Sequence, residues 1–349
     1  MNDTTLSIPD IADIADPALT ARLQGALDNK TKPLGALGRL EGLALRIGLV
    51  LGSDAPVLEA PQMLVCAADH GLAARGVSAF PSDVTWQMVE NFLAGGAAVS
   101  VLARQHGLAL TVVDCGVRRD FQARPGLVSR RIAAGTADAS AGPAMTAQQC
   151  AQAIANGREV VRALPGNALL LGEMGIGNSS AAAMLLARLG GLNVDVCTGA
   201  GTGLDAAGLA RKREVLHEVL ALHAGATAPL DALAAFGGFE IATLVGAVLQ
   251  AAQERRVIVV DGFIASAAVL VAQALQPHVT QRCVAAHCSA EPGHALLLAQ
   301  LGLVPLLNLD LRLGEGSGGA LAWPLLESAC RILREMASFE AAGVSRKGA

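Results

Sequence analysis

Residues 171–180 read LGEMGIGNSS, an order of residue types that can hold a phosphate with a carboxylate at its edge. The glycines of this segment carry no Cβ and let the backbone approach a ligand closely. A helix is predicted to follow, and Asn178 or Ser179 can cap it, so that its free N–H groups and its dipole favour an anion. A phosphate at this position repels Glu173, and we therefore expect this acid to have a separate chemical task.

A second acid, Glu315, lies in the segment 311–319, LRLGEGSGG, with a glycine on each side. A strand is expected to end near Leu309 and a long helix to begin near Gly318, which places Glu315 in the turn between them. This turn leaves room for a flat ligand and holds the carboxylate partly out of water, which raises its pKa toward the range of a general base. The alternative is an exposed glutamate on a flexible surface loop.

The segment 198–205, TGAGTGLD, is a further glycine loop that opens a predicted helix. Its glycine spacing departs from GxGxxG, and the chain has no Walker lysine followed by Ser or Thr. The loop therefore predicts an anion site without specifying NAD or ATP. Lys212, on the same helix, can reach a phosphate or be solvated at the surface, and the local sequence favours the surface.

Two more segments have open interpretations. Asp69 and His70 end a predicted strand, and a polar strand end that hydrogen-bonds its own loop is favoured over a catalytic pair, because adjacent strand residues point to opposite faces. The segment 76–88 concentrates Phe80, Trp86 and Met88 in a chain with only 3% aromatic residues. These side chains can form a pocket for a planar heterocycle or simply pack in the core.

Composition and motifs exclude several classes of function. With a net charge of −4 over 349 residues and no basic run interleaved with aromatic residues, nucleic-acid binding is not expected. The N-terminus shows no signal peptide, and Asp261 and Gly262 interrupt the most apolar run, so no membrane span is expected. Seven cysteines without a CxxC pair are expected to be free thiols in a reducing cytoplasm, with no metal or cofactor. The absence of GxSxG and HExxH argues against hydrolases that use a serine nucleophile or zinc.

Short apolar runs alternate with helix-length segments along most of the chain. The runs predicted as strands are residues 62–67, 109–113, 168–171, 194–197, 257–260, 283–286 and 306–309. The segments predicted as helices include residues 82–104, 146–164, 179–189, 205–223, 239–253, 264–275 and 318–336. This alternation predicts an α/β fold with a largely parallel sheet covered on both faces, whose ligands bind beyond the carboxyl ends of the strands.

The two ends of the chain differ from this central pattern, because both are predicted to be helical. We expect them to pack together as a smaller helical domain. The predicted division is residues 1–60 for the N-terminal helical part, 61–316 for the α/β domain and 317–349 for the C-terminal helical segment.

Long motifs in these segments resemble the nicotinate-nucleotide–dimethylbenzimidazole phosphoribosyltransferases of cobalamin nucleotide-loop assembly. The motifs that carry the resemblance are KTKPLGALGRLE (30–41), AADHGLAARGVSAFPSDVTWQMVENFLAGGAAVSVLAR (67–104), VVDCGV (112–117), GEMGIGNSSAAAML (172–185), TGAGTGLD (198–205), GGFEIATLVGAVL (237–249), VVDGFIASAA (259–268), AHCSAEPGHALLL (286–298) and LDLRLGEGSGGALAWPLL (309–326). They cover nearly the whole chain, and motifs of this length in this order are highly specific.

The resemblance implies a homodimeric enzyme of the cytoplasm, with a Rossmann-like parallel sheet flanked by helices and a smaller helical domain. The implied reaction transfers the phosphoribosyl group of nicotinate mononucleotide to 5,6-dimethylbenzimidazole and gives α-ribazole 5′-phosphate and nicotinate. The implied partners are these small-molecule substrates, without a cofactor, nucleic acid or membrane.

Carried over by motif, the resemblance also assigns roles to individual residues. Glu315 matches the catalytic base, and Glu173 matches a carboxylate beside the ribose. The residues expected at the phosphoribosyl and nicotinate site are Gly175, Gly177, Asn178, Ser179, Thr198, Gly199, Gly201, Thr202, Gly203, Lys212, Asp261 and Ser289. The residues expected to line the benzimidazole pocket are Ser78, Phe80, Gln87, Met88 and Leu313.

Two other functions stay open as alternatives. An NAD-dependent oxidoreductase could use the same sheet, although the glycine spacing and the acid about twenty residues beyond it are absent. A non-catalytic nucleotide-binding or scaffold protein is the second alternative.

Overall fold

A six-stranded parallel sheet lies at the centre of the chain in a computed structural model that describes residues 6–201 and 203–345. Its strands are β1 (Gln62–Ala68), β2 (Ala109–Gly116), β3 (Leu127–Ser129), β4 (Ala168–Met174), β5 (Val257–Val260) and β6 (Cys283–Ala285). Their order across the sheet is β3-β2-β1-β4-β5-β6, and each neighbouring pair is parallel. This is the strand order of the dinucleotide-binding fold, so the predicted Rossmann-like α/β fold is confirmed.

A second, two-stranded parallel sheet follows β6 in the chain. It pairs β7 (His287–Cys288) with β8 (Leu307–Asn308). Of the strand predicted over residues 306–309, only these two residues pair, and they do so outside the main sheet.

Helices cover the main sheet. They are α1 (Pro17–Asp28), α2 (Arg39–Leu51), α3 (Asp83–Ala94), α4 (Ala98–His106), α5 (Ala147–Ala163), α6 (Asn178–Gly190), α7 (Val194–Cys197), α8 (Ala206–Leu222), α9 (Pro229–Phe236), α10 (Phe239–Gln253), α11 (Phe263–Leu275), α12 (Pro292–Leu301) and α13 (Ser317–Glu335). Short 3₁₀ helices span Gly71–Arg75 and Pro277–Arg282. Within the two described ranges, no helix combines the length and the apolar character that crossing a membrane requires.

Each face of the main sheet carries its own apolar core, because alternate strand residues point to opposite faces. On one face, Leu64, Leu171 and Val260 pack under helices that include α5, α6, α10 and α11. On the other face, Val65 and Leu170 pack under α1, α2, α3, α4 and α13. Burial on both sides explains why the central strands read as nearly continuous apolar runs.

The two ends of the chain meet, as predicted. Helices α2 and α13 pack on each other, and Lys30 and Ser338 form an isolated antiparallel bridge. The Lys30 ammonium also donates to the carbonyl oxygen of Met336 at 2.6 Å. The division of the chain into residues 1–60, 61–316 and 317–349 stays a prediction.

Two predicted elements are wrong in detail, and four others are missed. Residues 194–197 form the short helix α7 instead of a strand, because the Asn193 side chain caps this turn by accepting from the Asp195 N–H. Residues 82–104 form two helices, since Gly95 ends α3 with a φ of +82°. Sequence reasoning misses the helices α9 and α12 and the strands β3 and β7, and both strands are too short to show a hydrophobic period.

The strand order reverses between β1 and β4, which pair with each other at the centre of the sheet. Strands β2 and β3 add on one side of this pair, and β5 and β6 add on the other. In open parallel sheets the ligand crevice lies at this switch point, beyond the carboxyl ends of the strands. Asp69 follows β1 and Glu173 lies near the end of β4, so both lie at the expected crevice.

Helices α5 and α10 cross with their backbones in contact. A Cβ at Gly157 would clash with the Thr243 carbonyl oxygen, and a Cβ at Gly246 would clash with the Ile154 carbonyl oxygen. The crossing therefore requires a residue without a side chain at both positions.

We expect Gly246→Ala to lower the free energy of unfolding by about 1–3 kcal/mol, because the added methyl group forces two backbones apart. Gly42→Ala is the matched control, since Gly42 is exposed in α2 and a Cβ there would meet nothing within 4 Å. That change should stabilise the chain by about 0.4–1 kcal/mol. Urea unfolding measures both, and equal midpoints for the two variants would contradict the close crossing.

Candidate active site

A cavity opens beyond the carboxyl ends of β1 and β4, where the predicted crevice lies. It encloses about 740 Å³, its open mouth included. The predicted site residues that line it are Ser78, Glu173, Gly175, Gly177, Asn178, Ser179, Gly201, Ser289 and Leu313. The structure therefore brings residues expected at the phosphoribosyl, nicotinate and benzimidazole sites to one cavity.

The glycine turn after β4 starts helix α6 through its backbone. Gly177 is the N-cap residue with a φ of +97°, and no side chain caps the helix. The predicted capping by Asn178 or Ser179 is wrong, because both lie within the first turn and bind other partners. The Asn178 amide donates to Glu173 Oε2 at 2.5 Å, and Ser179 Oγ accepts from Lys212 Nζ at 2.9 Å.

Buried polar groups hold this turn from behind. The Ile176 N–H donates to Thr85 Oγ1 at 3.1 Å. His70 Nε2 lies 2.6 Å from Glu240 Oε1, and this pair packs against Gly175, where a Cβ would lie 3.2 Å from Glu240 Oε1. Burial acts to lower the pKa of His70, but the charge and hydrogen bond of Glu240 and the charge of Asp69 together outweigh burial, so that this pKa is raised. Thus His70 contributes to the wall behind the turn.

Asp69 behaves as the polar strand end that the sequence favours. Its Oδ2 atom accepts from the Arg118 N–H at 2.8 Å, across to the loop that follows β2. The Asp69 carbonyl oxygen accepts from the Thr136 N–H at 2.9 Å. This residue therefore ties two loops together beside the cavity.

The aromatic segment after β1 packs partly against the core. Trp86 and Met88 are half-buried and pack against the apolar core, whereas Phe80 is 50% exposed. Ser78 lines the cavity, but Phe80, Gln87 and Met88 are not among the residues that line it. The benzimidazole-binding role of these three residues stays a prediction.

Lys212 lies in the interior, so the surface interpretation of this residue is wrong. Its exposure is 1%, and its ammonium donates to Ser179 Oγ and to the Gly199 carbonyl oxygen, at 2.9 and 3.2 Å. Burial lowers the pKa of Lys212 to about 8, although the Glu291 carboxylate acts in the opposite direction. Lys212 thus joins the two glycine loops, with its positive charge between them.

Glu315 occupies a strained turn between β8 and α13. Gly314, Glu315 and Gly316 have φ values of +79°, +67° and +91°. A residue other than glycine in this conformation costs about 1–3 kcal/mol, and it persists only where its surroundings hold it. The Glu315 carbonyl oxygen packs against Gly172 of β4, where a Cβ would not fit. Strand β4 therefore fixes one side of the turn.

Asp261 holds the other side of the Glu315 turn. It follows β5, and its Oδ2 atom accepts from the Gly316 N–H at 3.1 Å. Its Oδ1 atom accepts from the Gly319 N–H at 2.9 Å and lies 3.4 Å from His287 Nε2. Asp261 is not among the residues that line the cavity, and its predicted place near nicotinate stays a prediction.

The two glutamates lie close together, and both have pKa values near neutrality. Glu173 Oε1 lies against Gly314, where a Cβ would clash with it. Burial raises the pKa of Glu315 to about 7, and the Asp261 carboxylate adds to the increase. Burial raises the pKa of Glu173 to about 8, opposed by the Asn178 hydrogen bond and reinforced by nearby carboxylates. With an exposure of 5%, Glu315 is not the exposed loop residue of the alternative interpretation.

The other predicted site residues differ in their burial and in their hydrogen-bond partners. Thr198 is buried, and its hydroxyl donates to the Val194 carbonyl oxygen at 2.6 Å. Ser289 Oγ accepts from the Glu291 N–H at 3.2 Å at the cavity wall. Gly203 is exposed. Thr202 lies outside the described residues.

Comparison with known proteins identifies the family. Residues 12–344 match the phosphoribosyltransferase family. A relative from Variovorax paradoxus (strain S110), named nicotinate-nucleotide–dimethylbenzimidazole phosphoribosyltransferase, is 90% identical to this chain, with 99% of each chain covered. The chain belongs to this phosphoribosyltransferase family.

Other members of the family agree in sequence and structure. A relative of the same name from Cupriavidus necator is 61% identical, with 97% of this chain and 99% of the relative covered. The solved structure of the phosphoribosyltransferase of this name from Thermus thermophilus has a TM-score of 0.91 and 42% identity. That match covers 95% of this chain and 100% of the solved one.

Sequence reasoning misses three polar or charged residues that line the cavity of this phosphoribosyltransferase. They are His287, Glu291 and Arg312. Their positions in the sequence could have identified them as site residues, since His287 and Glu291 follow β6 and Arg312 lies three residues before Glu315. They add one cation and one carboxylate to a wall that already contains Glu173.

The raised pKa of Glu173 makes the stability of the fold depend on pH. The native state stabilises the protonated carboxyl, so its contribution is complete below the unfolded pKa near 4.5 and is lost as the pH rises through about 8. We expect Glu173→Gln to become more stable than the parent chain over this range, by up to a few kcal/mol, because the amide has no charge to bury. Urea unfolding at both ends of the range measures the difference.

Glu214→Gln serves as the control for this prediction, because Glu214 is exposed on α8. Its difference from the parent chain should not change over the same pH range. If the advantage of Glu173→Gln does not grow with pH, the pKa of Glu173 is not raised.

Proposed function

We propose that this chain transfers the phosphoribosyl group of nicotinate mononucleotide to 5,6-dimethylbenzimidazole, giving α-ribazole 5′-phosphate and nicotinate for the lower ligand of cobalamin. The observation that carries the proposal is the buried Glu315 beside a cavity lined by Glu173 and a glycine turn. The relatives that match nearly the whole chain carry the name of this activity. Both findings favour it over the oxidoreductase and the non-catalytic alternatives.

Glu315 is the proposed general base. The nicotinate ring leaves C1′ as a neutral pyridine, so its departure needs no proton. The benzimidazole attacks C1′ through its unprotonated ring nitrogen, and the N–H at its other nitrogen becomes acidic as that bond forms. The Glu315 carboxylate accepts this proton, and a pKa of about 7 suits a base that works near neutral pH. Direct displacement inverts the anomeric centre and requires no enzyme nucleophile.

Glu173 is proposed to stabilise positive charge on the ribose. With a pKa of about 8, its carboxyl is mostly protonated at neutral pH in the free chain. The pyridinium cation of the nucleotide favours the ionised form, so binding of this substrate promotes ionisation of Glu173. The carboxylate then stabilises the oxocarbenium-like charge that develops at C1′.

The phosphate is proposed to bind between the two glycine loops that Lys212 joins. The first loop supplies the start of α6 and the Ser179 hydroxyl, which already contacts Lys212. The second loop supplies backbone groups around Gly201, which lines the cavity. Because the phosphate stays attached to the ribose and is only held, the reaction does not require a metal to neutralise a moving phosphoryl group.

The benzimidazole is proposed to bind on the opposite side of Glu173 from the phosphate. Ser78 and Leu313, which line the cavity, are assigned to this proposed pocket, and Leu313 precedes Glu315 by one glycine. Phe80, Gln87 and Met88 belong to the same proposed pocket. Asp261 and Ser289 are proposed to lie near the nicotinate half.

We also infer a homodimer that works in the cytoplasm, as the family resemblance implies. All seven cysteines are free, and Cys288 alone among them is not buried, which suits a compartment that keeps thiols reduced. Exposed apolar side chains such as Leu34 and Val304 offer surface that a second copy could cover.

We expect Glu315→Gln to lower turnover by about 10²–10⁴-fold, the usual effect of losing a general base. Chromatographic detection of α-ribazole 5′-phosphate from nicotinate mononucleotide and 5,6-dimethylbenzimidazole measures it. The parent chain should gain activity as the pH rises through about 7, because the base must be deprotonated. Glu327→Gln, an exposed change on α13, should retain activity. Unchanged turnover in Glu315→Gln would rule out the base assignment.

We expect Lys212→Met to raise the KM for nicotinate mononucleotide by roughly ten- to a hundred-fold, because a charge-assisted hydrogen bond to the phosphate is lost. The methionine side chain keeps the apolar stem in the same buried space. Arg211→Ala removes an exposed neighbouring cation and should leave this KM unchanged. Equal KM values in Lys212→Met and the parent chain would show that Lys212 only joins the two loops.

A further inference from the structure

Asp261 is a buried acid whose two oxygens are occupied by the protein itself. Its exposure is 2%, and it lies where β5 ends. One oxygen accepts from the Gly316 N–H and the other from the Gly319 N–H, at 3.1 and 2.9 Å. The Gly316 N–H belongs to the residue that follows Glu315, and the Gly319 N–H belongs to the first turn of α13. Because both of its oxygens already accept from backbone N–H groups, this carboxylate is better suited to hold the backbone in place than to bind a substrate.

The Glu315 turn needs such an anchor because its backbone is strained. Glu315 has a φ of +67° without being glycine, and its neighbours on both sides also have positive φ values. Strained conformations of this kind persist where surrounding contacts over-determine them. The Gly172 contact restrains the carbonyl side of Glu315, and Asp261 restrains the N–H that follows it.

We propose that Asp261 is a positioning residue, which holds the Glu315 turn through the N–H groups of Gly316 and Gly319 and so aims the Glu315 carboxylate at the cavity. The proposal rests on the proposed function, in which Glu315 is the general base. It gives Asp261 a role that acts through Glu315 and needs no contact with nicotinate.

Asp261 also sets the charge around Glu315. Asp261 at the end of β5 acts on the Glu315 carboxylate, which itself acts on Glu173 of β4 together with Glu240 of α10. On the other sides, His287 of β7 faces Asp261, and Arg312 lies three residues before Glu315. The negative charge of Asp261 adds to burial in raising the pKa of Glu315. Removing that charge should therefore lower the pKa of the base.

The first experiment is Asp261→Asn in the full-length chain, assayed with nicotinate mononucleotide and 5,6-dimethylbenzimidazole. The asparagine oxygen can still accept one of the two N–H groups, but the second anchor and the charge are lost. We expect kcat to fall by about 10²-fold, as for a misplaced catalytic group. The KM for the nucleotide should be nearly unchanged, and the acid limb of the kcat profile should move to lower pH. The benzimidazole titrates identically in every variant, so a difference between profiles belongs to the protein.

A second variant separates the anchor from the charge. Gly319→Pro replaces one N–H that Asp261 accepts with a ring Cδ that pushes the Asp261 oxygen away, while proline is tolerated in the first turn of a helix and a Cβ there meets no atom closer than 3.8 Å. We expect a lower kcat with the acid limb unmoved, because the Asp261 charge stays in place. This variant tests the anchor even if Asp261→Asn does not fold. Unchanged kcat in Gly319→Pro would overturn the anchoring role.

A double mutant tests whether Asp261 acts through Glu315. If it does, adding Asp261→Asn to Glu315→Gln should cause little further loss of kcat, because the base is already absent. Asp310→Asn is the control for removing a nearby acid, since Asp310 is exposed and has its own positive φ of 52°. That control should match the parent chain in kcat and in pH profile.

Besides unchanged kcat in Gly319→Pro, three further results would overturn the proposal. They are an unchanged kcat and pH profile in Asp261→Asn, a raised nucleotide KM with unchanged kcat, and additive losses in the double mutant. The second result would mean that Asp261 contacts the nucleotide directly. Failure of the base assignment is separate, because it would appear as full turnover in Glu315→Gln alone.

Discussion

The close approach of the Glu315 turn to Gly172 is the constraint on which the site depends. The Glu315 carbonyl oxygen occupies the space that a side chain at position 172 would need. The next residue of β4, Glu173, packs its carboxylate against the glycine that precedes Glu315. Two consecutive strand residues therefore contact one turn, and a larger residue at either glycine would separate the two acids. Because the contact joins the centre of the sheet to the start of α13, the C-terminal helix and the central strand position the chemistry together.

Burying several acids at one end of a sheet raises their pKa values, which is useful for catalysis, and lowers the stability of the fold. Burial and mutual repulsion raise the pKa values of Glu173 and Glu315 to about 8 and about 7, which brings both into the range where proton transfer is useful. The same burial destabilises the fold whenever these groups ionise. Backbone N–H groups offset part of this penalty at Asp261, and an amide offsets part of it at Glu173. Active sites commonly trade stability for such pre-arranged charge.

Much of the fold could be predicted because its signals are local. Strands such as β1 and β4 are nearly continuous apolar runs, because they are buried on both faces. The start of α5 is local as well, because its capping box joins Thr146 to Gln149, only three residues away. The prediction was wrong at residues 194–197, where four residues cannot distinguish a strand from a single helical turn and a side-chain cap decided the outcome. Periodicity is weakest in elements that short.

For the site, residue types and glycine spacing by themselves determined that two acids would stand beside glycine turns at strand ends, and that one would be shielded from water. The tertiary structure alone decided which groups face them. The local sequence predicts a surface lysine at position 212, whereas α8 places Lys212 in contact with both glycine loops. It also predicts a helix cap at Asn178, whose amide instead donates to Glu173. The family resemblance places Asp261 near nicotinate, and only the fold shows that both of its oxygens accept from backbone N–H groups. The physical reason is that the burial and the hydrogen-bond partners of a side chain depend on segments far away in the chain. The local sequence does not determine which of these segments come into contact.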